Sequence, residues 1–225
     1  MNRVDNRSLD GGRFKGSDHV LFEKIISLEN LLVAWKEFRR GKRKKTDVAE
    51  YELRLEDNLF QLHEILKRGE WKPDPYVRFL VRDPKPRVIH KATVRDRVFH
   101  RAFFRILYPV FDRGFISDSY SCRKGKGTHA GSRRLDQFAR IASRNFSCDS
   151  CVLKCDIRKY FDSISHDILL GLLKGKVFDK NVLKILGLLI RGFTTIPGRG
   201  IPLGNVTSQL FANVYLNPFD HFVKR

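Results

Sequence analysis

Along the first third of the chain, apolar positions recur with helical period. "VLFEKIISLENLLVAWKEF" carries them from Val20 through Phe38, which predicts one helix followed by the basic run around Gly41. A second helix is expected from about Asp47 to Lys67, its apolar face made of Leu53, Leu55, Leu59, Leu62, Ile65 and Leu66, with Gly69 as its stop. The pattern then changes. Prolines at 73, 75, 84 and 86 exclude a long helix, and "YVRFLV" alternates as a half-buried strand, so a β-hairpin is expected. "VRDRVFHRAFFRILYPVF" returns to helical period, with Val98, Phe99, Ala102, Phe103 and Ile106 turned inward, Arg95, Arg97, Arg101 and Arg105 on the other face, and Pro109 as its end. Further helices are expected from roughly Thr128, capped by its hydroxyl, to Ser143, through "HDILLGLL" with Ser165 as cap, through "FDKNVLKILGLLIRG" with Asp179 as cap, and from about Val206 onward. Between them "VLKCD" reads as a buried strand that emerges at Asp156. The order of these elements predicts an α+β fold.

Composition narrows the function. The chain has 225 residues, 42% of them hydrophobic, which suits a packed core, and no apolar run approaches the roughly 20 residues of a bilayer span. The N-terminus lacks the apolar stretch of a signal peptide, so a cytoplasmic protein without a membrane partner is expected. Lysine and arginine number 44 against 25 acids, a formal charge of +19. The bases recur along the whole length, which favours a polyanionic partner and above all nucleic acid. Of the four cysteines, Cys148, Cys151 and Cys155 crowd together; with Cys155 in the expected strand they do not make a convincing zinc set, and reduced thiols are the expected state.

Asp156 is the first candidate for chemistry. A carboxylate at a strand end suits a hard cation such as Mg²⁺, which takes oxygen ligands, usually from one or two carboxylates together with substrate phosphates. It equally suits a plain strand end or cap, and Asp162, six residues on, cannot be assumed to face the same way. Both readings stand on the local residues.

Taken together, four ordered segments resemble a reverse transcriptase of the bacterial retroelement type. "DPKPRVIHKATVRDRVFHRAF" is similar to the first fingers motif, "FISDSYSCRKGKGTHAG" to the second, "CDIRKYFDSISHDIL" to palm motif A and "GIPLGNVTSQLFANVYLNPFDHF" to motif B. The resemblance implies an RNA-directed DNA polymerase in a right-hand fold: residues 1–18 a flexible N-terminus, 19–72 a helical extension, 73–146 fingers and 147–225 a partial palm. It makes Asp156 the first catalytic aspartate and a metal ligand, with Ile157 offering its backbone to metal and triphosphate. Phe161 would fill the space of a ribonucleotide 2′-hydroxyl, with Tyr160 beside it. Lys85 and Arg87 would grip the incoming deoxynucleoside triphosphate, and Leu203 and Gly204 would lie against the nascent base pair. Arg95, Arg97, Arg123, Lys124, Lys126, Ser208 and Gln209 would contact template or primer, although Arg95 and Arg97 could instead hold an internal carboxylate such as Asp96. Mg²⁺, or Mn²⁺ in its place, is the implied cofactor; RNA template, primer or cDNA strand and a small basic accessory protein are the implied partners.

Two departures matter. Where many relatives read "QGxxxSP", this chain reads "LGNVTSQ", and Leu203 removes a polar contact to the nucleotide. That variant resembles the error-prone enzymes of diversity-generating retroelements. The second departure is motif C, an aromatic, one variable residue and two aspartates on a hairpin, which is not found after motif B. The expectation is a polypeptide that does not polymerise alone, lacks a thumb and forms the front of a larger protein. A non-catalytic RNA-binding or maturase-like protein is the alternative.

Overall fold

The computed structural model describes residues 20–84 and 86–224. The flexible segment expected over residues 1–18 lies outside the described residues, as does Lys85.

Ser27 divides the first apolar run in two. α1 (Val20–Ile26) ends there, and the Ser27 hydroxyl accepts from the Asn30 amide to start α2 (Leu28–Phe38). A side-chain oxygen in this position satisfies one of the orphan donors of a helix start, so a local bond outcompetes the continuous helix that periodicity suggests. The second expected helix is also broken, at Arg54, into α3 (Thr46–Leu53) and α4 (Leu55–Lys67). The break turns Leu53 outward, where it is 85% exposed, while Leu59, Leu62 and Leu66 keep the inward face.

The expected hairpin forms from β1 (Val77–Val81) and β2 (Arg87–Lys91), antiparallel with Val77 opposite Lys91 and Val81 opposite Arg87. It is not half-buried as its alternation suggests. Val77, Phe79, Leu80 and Val88 are all exposed, and the residues of β2 with partial cover are Ile89, His90 and Lys91.

α5 (Val94–Asp112) is the axis of the core. Val98, Phe99, Ala102, Phe103 and Leu107 are buried along it, each large side chain contributing about 1.5–3 kcal/mol of transfer free energy, whereas Ile106 is only half-buried. α2 lies along one side of α5. Asn30 pins that contact: its amide donates to the carbonyls of Ile25 at 2.8 Å and Ala102 at 3.1 Å, and its oxygen accepts from Arg105 at 3.0 Å. Pro109 does not end the helix. It removes one backbone bond near the C-terminus, but the buried Phe111 and the Tyr108 hydroxyl donating to Asp112 at 2.8 Å hold the last turn.

Beyond α5 come α6 (Thr128–Ala142), the single turn α7 (Tyr160–Ser163), α8 (His166–Lys174), α9 (Lys180–Arg191) and α10 (Val206–Val223). Gly127, at φ 132°, occupies the cap position expected of Thr128, and no side chain caps α6. Ser165 stands at the cap of α8 without a capping bond of its side chain. Asp179 caps α9 through the amides of Asn181 and Val182, and its other oxygen accepts from Phe22 at 2.9 Å, tying α9 to α1. α10 packs on α5 and α8. One hydrophobic cluster runs from Phe22 to Val214 through helices of both ends of the chain.

The strand expected before Asp156 is not formed. Residues 151–157 have no regular structure, and Val152 and Leu153 are 76% and 89% exposed. β-propensity alone does not hold a strand: its amides and carbonyls need a neighbour, and the described residues contain a sheet of two strands only, both in the hairpin.

Candidate nucleotide and nucleic-acid site

Three segments that lie far apart in sequence meet around the start of α10. The turn Leu203–Gly204 precedes the helix, and the Leu203 carbonyl accepts from the His90 amide of β2 at 3.1 Å. Gly204 is at φ 131°, and a Cβ there would sit 3.2 Å from both the His90 carbonyl and the Ile89 side chain. The sequence suggests that this glycine makes room for a base pair. In the structure the group already against it is the hairpin backbone, and glycine is needed for both conformation and space.

The short helix α7 docks on the same unit. Ile201 donates its amide to the Phe161 carbonyl at 3.0 Å, Gly200 to the Ile164 carbonyl at 2.9 Å, and the Tyr160 hydroxyl donates to the Ala212 carbonyl of α10 at 2.6 Å. Burial first, with Tyr215 and Asp220 nearby, pushes the Tyr160 phenol well above its ordinary value, so it stays a donor. Phe161 is half-buried, edge-on to Tyr160 at 5.7 Å between ring centres. Tyr160 and Phe161 therefore stand on the face of α10, while Ile157 and Asp156, a few residues earlier, are exposed.

Asp156 is exposed and belongs to no cluster of three or more metal-ligating residues among the described residues. One exposed carboxylate is not a divalent-ion site, so the residues present do not by themselves fit Mg²⁺ or Mn²⁺. The four cysteines are free and exposed.

The expected bases divide sharply. Arg87 begins β2 and is exposed. Arg95 is engaged internally: it reaches Asp74 at 2.7 Å, Asp96 at 3.1 Å and the Lys72 carbonyl at 2.9 Å. Burial raises the Asp96 carboxyl, and the Asp74 amide and Arg95 only partly offset it. Arg97 pairs with Asp47 at 2.5 Å, and Lys91 reaches the same oxygen at 2.8 Å. Burial alone would raise Asp47, but hydrogen bonds from Lys91 and Arg97 outweigh it and hold the carboxyl below its usual range.

Arg123 takes a structural role in place of the expected phosphate contact. Its side chain is 7% exposed and donates to Asp112 at 2.8 Å and to the carbonyls of Ile116 and Ser119 at 2.7 and 3.0 Å. A guanidinium with its fork filled this way locks the loop and has no free edge for a ligand. Lys124 is exposed, and Lys126 bonds the Ser117 carbonyl over the Tyr120 ring. Ser208, expected at the nucleic acid, is 1% exposed, because its place on α10 is the inward face; Gln209, one position on, is exposed.

Sequence reading missed the aromatic joint beneath the hairpin. Phe193 stands edge-on to His90 at 4.6 Å and to Tyr76 at 5.9 Å, and the Tyr76 hydroxyl accepts from Asn205 at 3.1 Å. Burial pushes the Tyr76 phenol up to about 12. No local pattern joins residues 76, 90, 193 and 205; only the fold does.

No family model matches the chain. It is 25% identical over 178 residues to Protein YkfC of Escherichia coli, covering 76% of this chain and 46% of that protein. It is 25% identical over 177 residues to the group II intron-encoded protein LtrA of Lactococcus lactis, covering 75% and 28%, and 26% identical over 151 residues to the nuclear intron maturase 4 of Arabidopsis thaliana, covering 63% and 18%. The chain thus spans less than half the length of these curated relatives. In fold it is similar to a chain of a partial Cas6-RT-Cas1 and Cas2 complex, with a TM-score of 0.56 and 21% identity over 91% of this chain and 35% of the other. Its elements are those of an α+β fingers-and-palm arrangement, and its relatives include group II intron-encoded proteins and intron maturases. In sequence the chain is thus similar to group II intron-encoded proteins and intron maturases, and in fold to a chain of the Cas6-RT-Cas1 and Cas2 complex.

Proposed function

We propose that the chain supplies the fingers and the motif A and motif B portion of an RNA-directed DNA polymerase. The observation that carries this reading is the junction of three motifs: α7 is bonded to α10 through Tyr160 and Ala212, and the turn before α10 is bonded to the hairpin through Leu203 and His90. Such a junction sets Phe161, on α7, and Arg87, on the hairpin strand that also carries His90, as parts of one frame. In this reading Arg87 meets the triphosphate, Phe161 screens the sugar 2′-position, and Asp156 would be one of the several carboxylates that a divalent cation needs. RNA template, a primer or cDNA strand and deoxynucleoside triphosphates are the proposed substrates, and a small basic accessory protein is a proposed partner. Low fidelity is proposed from Leu203 alone, whose side chain offers no hydrogen bond to a mispair.

A maturase-like role in binding RNA without copying it is the second reading. It is favoured by one specific observation, that Asp156 is exposed and no group of three or more metal-ligating residues forms among the described residues. Primer extension on an RNA template with Mg²⁺ and deoxynucleotides separates the two. On the first reading the full-length protein should extend a primer, with Asp156→Ala abolishing the product. RNA binding without extension in every form would establish the second reading.

A further inference from the structure

Beside the Leu203–Gly204 turn a cleft of about 190 Å³ opens between the end of α2, α5 and the start of α10. Lys42, Arg97, Arg101, His100, Gly204 and Gln209 line it. Three cations therefore share a space of the order of a phosphate group and its surroundings. Arg97 spends one nitrogen on Asp47, which Lys91 also shares, and Arg101 has no acidic partner among the described residues, its guanidinium lying 5.9 Å from the Phe104 ring centre. The Lys42 ammonium donates to the Phe38 carbonyl at 2.7 Å. Burial, then the charges of Arg101, Arg97 and Lys45, lower the Lys42 pKa, as expected where cations crowd without enough counter-charge.

The lining also includes a buried histidine. His100 is 3% exposed; its Nδ1 is 2.8 Å from the Thr207 hydroxyl, and its Nε2 is buried with no hydrogen-bond partner. Buried polar atoms are rarely left open in this way. The cationic lining of the cleft suits a phosphate oxygen. Gln209, with both a donor and an acceptor at the rim, suits the same group.

We infer that this cleft, lined by Lys42, Arg97, Arg101 and His100, holds one phosphodiester of a bound RNA strand next to the motif B turn. The inference rests on the proposed RNA-binding function and adds a defined backbone contact outside the residues that the sequence assigns to the triphosphate. A guanidinium pair and an ammonium read phosphate without reading sequence, so the contact positions the strand.

The test is fluorescence anisotropy of a labelled single-stranded RNA over a series of salt concentrations, with Lys42→Gln, Arg101→Gln and Arg101→Lys, and with Lys180→Gln at the start of α9 as control. Circular dichroism verifies that each variant is folded. Loss of one phosphate contact should lower the salt slope by about 0.7 and weaken binding about fivefold for Lys42→Gln and Arg101→Gln. Arg101→Lys should retain most of the slope, and Lys180→Gln should leave it unchanged. Slopes for the cleft variants equal to that of Lys180→Gln would overturn the inference while the wider RNA-binding reading survives. No RNA binding by the unaltered chain at low salt would defeat both. A rise in melting temperature with inorganic phosphate, lost in Arg101→Gln while the RNA slope is unchanged, would reassign the cleft to a free anion.

Discussion

The hydroxyl of Tyr160 donates to the carbonyl of Ala212 across 52 positions of sequence, at 2.6 Å. This bond, with the Phe161 carbonyl accepting from Ile201, makes motif A and motif B one unit even though the segment leading into Tyr160 is irregular. Removing the hydroxyl in Tyr160→Phe should cost about 1 kcal/mol, a typical net value for one hydrogen bond, read as a lower urea midpoint with an unchanged slope.

Gly204→Ala should destabilise by about 1–3 kcal/mol, since it forces a side chain into a left-handed backbone and against the His90 carbonyl. The same unfolding measurement reads it. Gly125→Ala, also at positive φ but with open space around it, should cost less. Equal losses would show that conformation alone sets the requirement at Gly204.

Stability should fall on acidification through the protonation of His100. Burial lowers its pKa from 6.5 to about 4. Between those values the unfolded chain binds a proton that the folded chain refuses, so stability is full above about pH 6.5 and falls as the pH drops toward 4. The expected loss from this group is about 2 kcal/mol between pH 7.5 and pH 5. Urea unfolding at the two values should show it, and His100→Gln should flatten the dependence in that window.

Arg123→Ala should lower stability by about 1.5–3 kcal/mol, the range for hydrogen bonds to a charged group, since it empties the loop that Asp112, Ile116 and Ser119 close around. At a temperature where the variant is folded, its RNA affinity and salt slope should match the parent chain. A slope reduced by about 0.7 would restore to Arg123 the phosphate contact that the sequence suggests.

Much of the helical content was legible in sequence because period 3.6 and a packed stripe are two views of one fact: Leu59, Leu62 and Leu66 recur on one face and are buried together. The helix from Val206 and the cap at Asp179 followed from equally local signals. Breaks were harder. Ser27 and Arg54 interrupt runs whose apolar spacing continues across them, and Pro109 fails to interrupt one because burial of Phe111 and Tyr108 and the Lys124 amide donating to the Tyr108 hydroxyl hold the turn that proline weakens.

The candidate site divides along the same line. Sequence by itself determined the order of the motifs, the basic surface and the resemblance they carry, because these are properties of side-chain identity and spacing. Tertiary structure decided which charges are free. Arg95 and Arg123 look alike in sequence to Arg87 and Arg101, yet the fold brings carboxylates and carbonyls to the first two and leaves Arg87 and Arg101 without a carboxylate partner among the described residues. It also decided that Gly204 faces a hairpin and that His100 closes a cationic cleft. Charge and hydrogen-bonding capacity are written locally, but whether they are already spent depends on partners tens of residues away, and only folding brings those partners within reach.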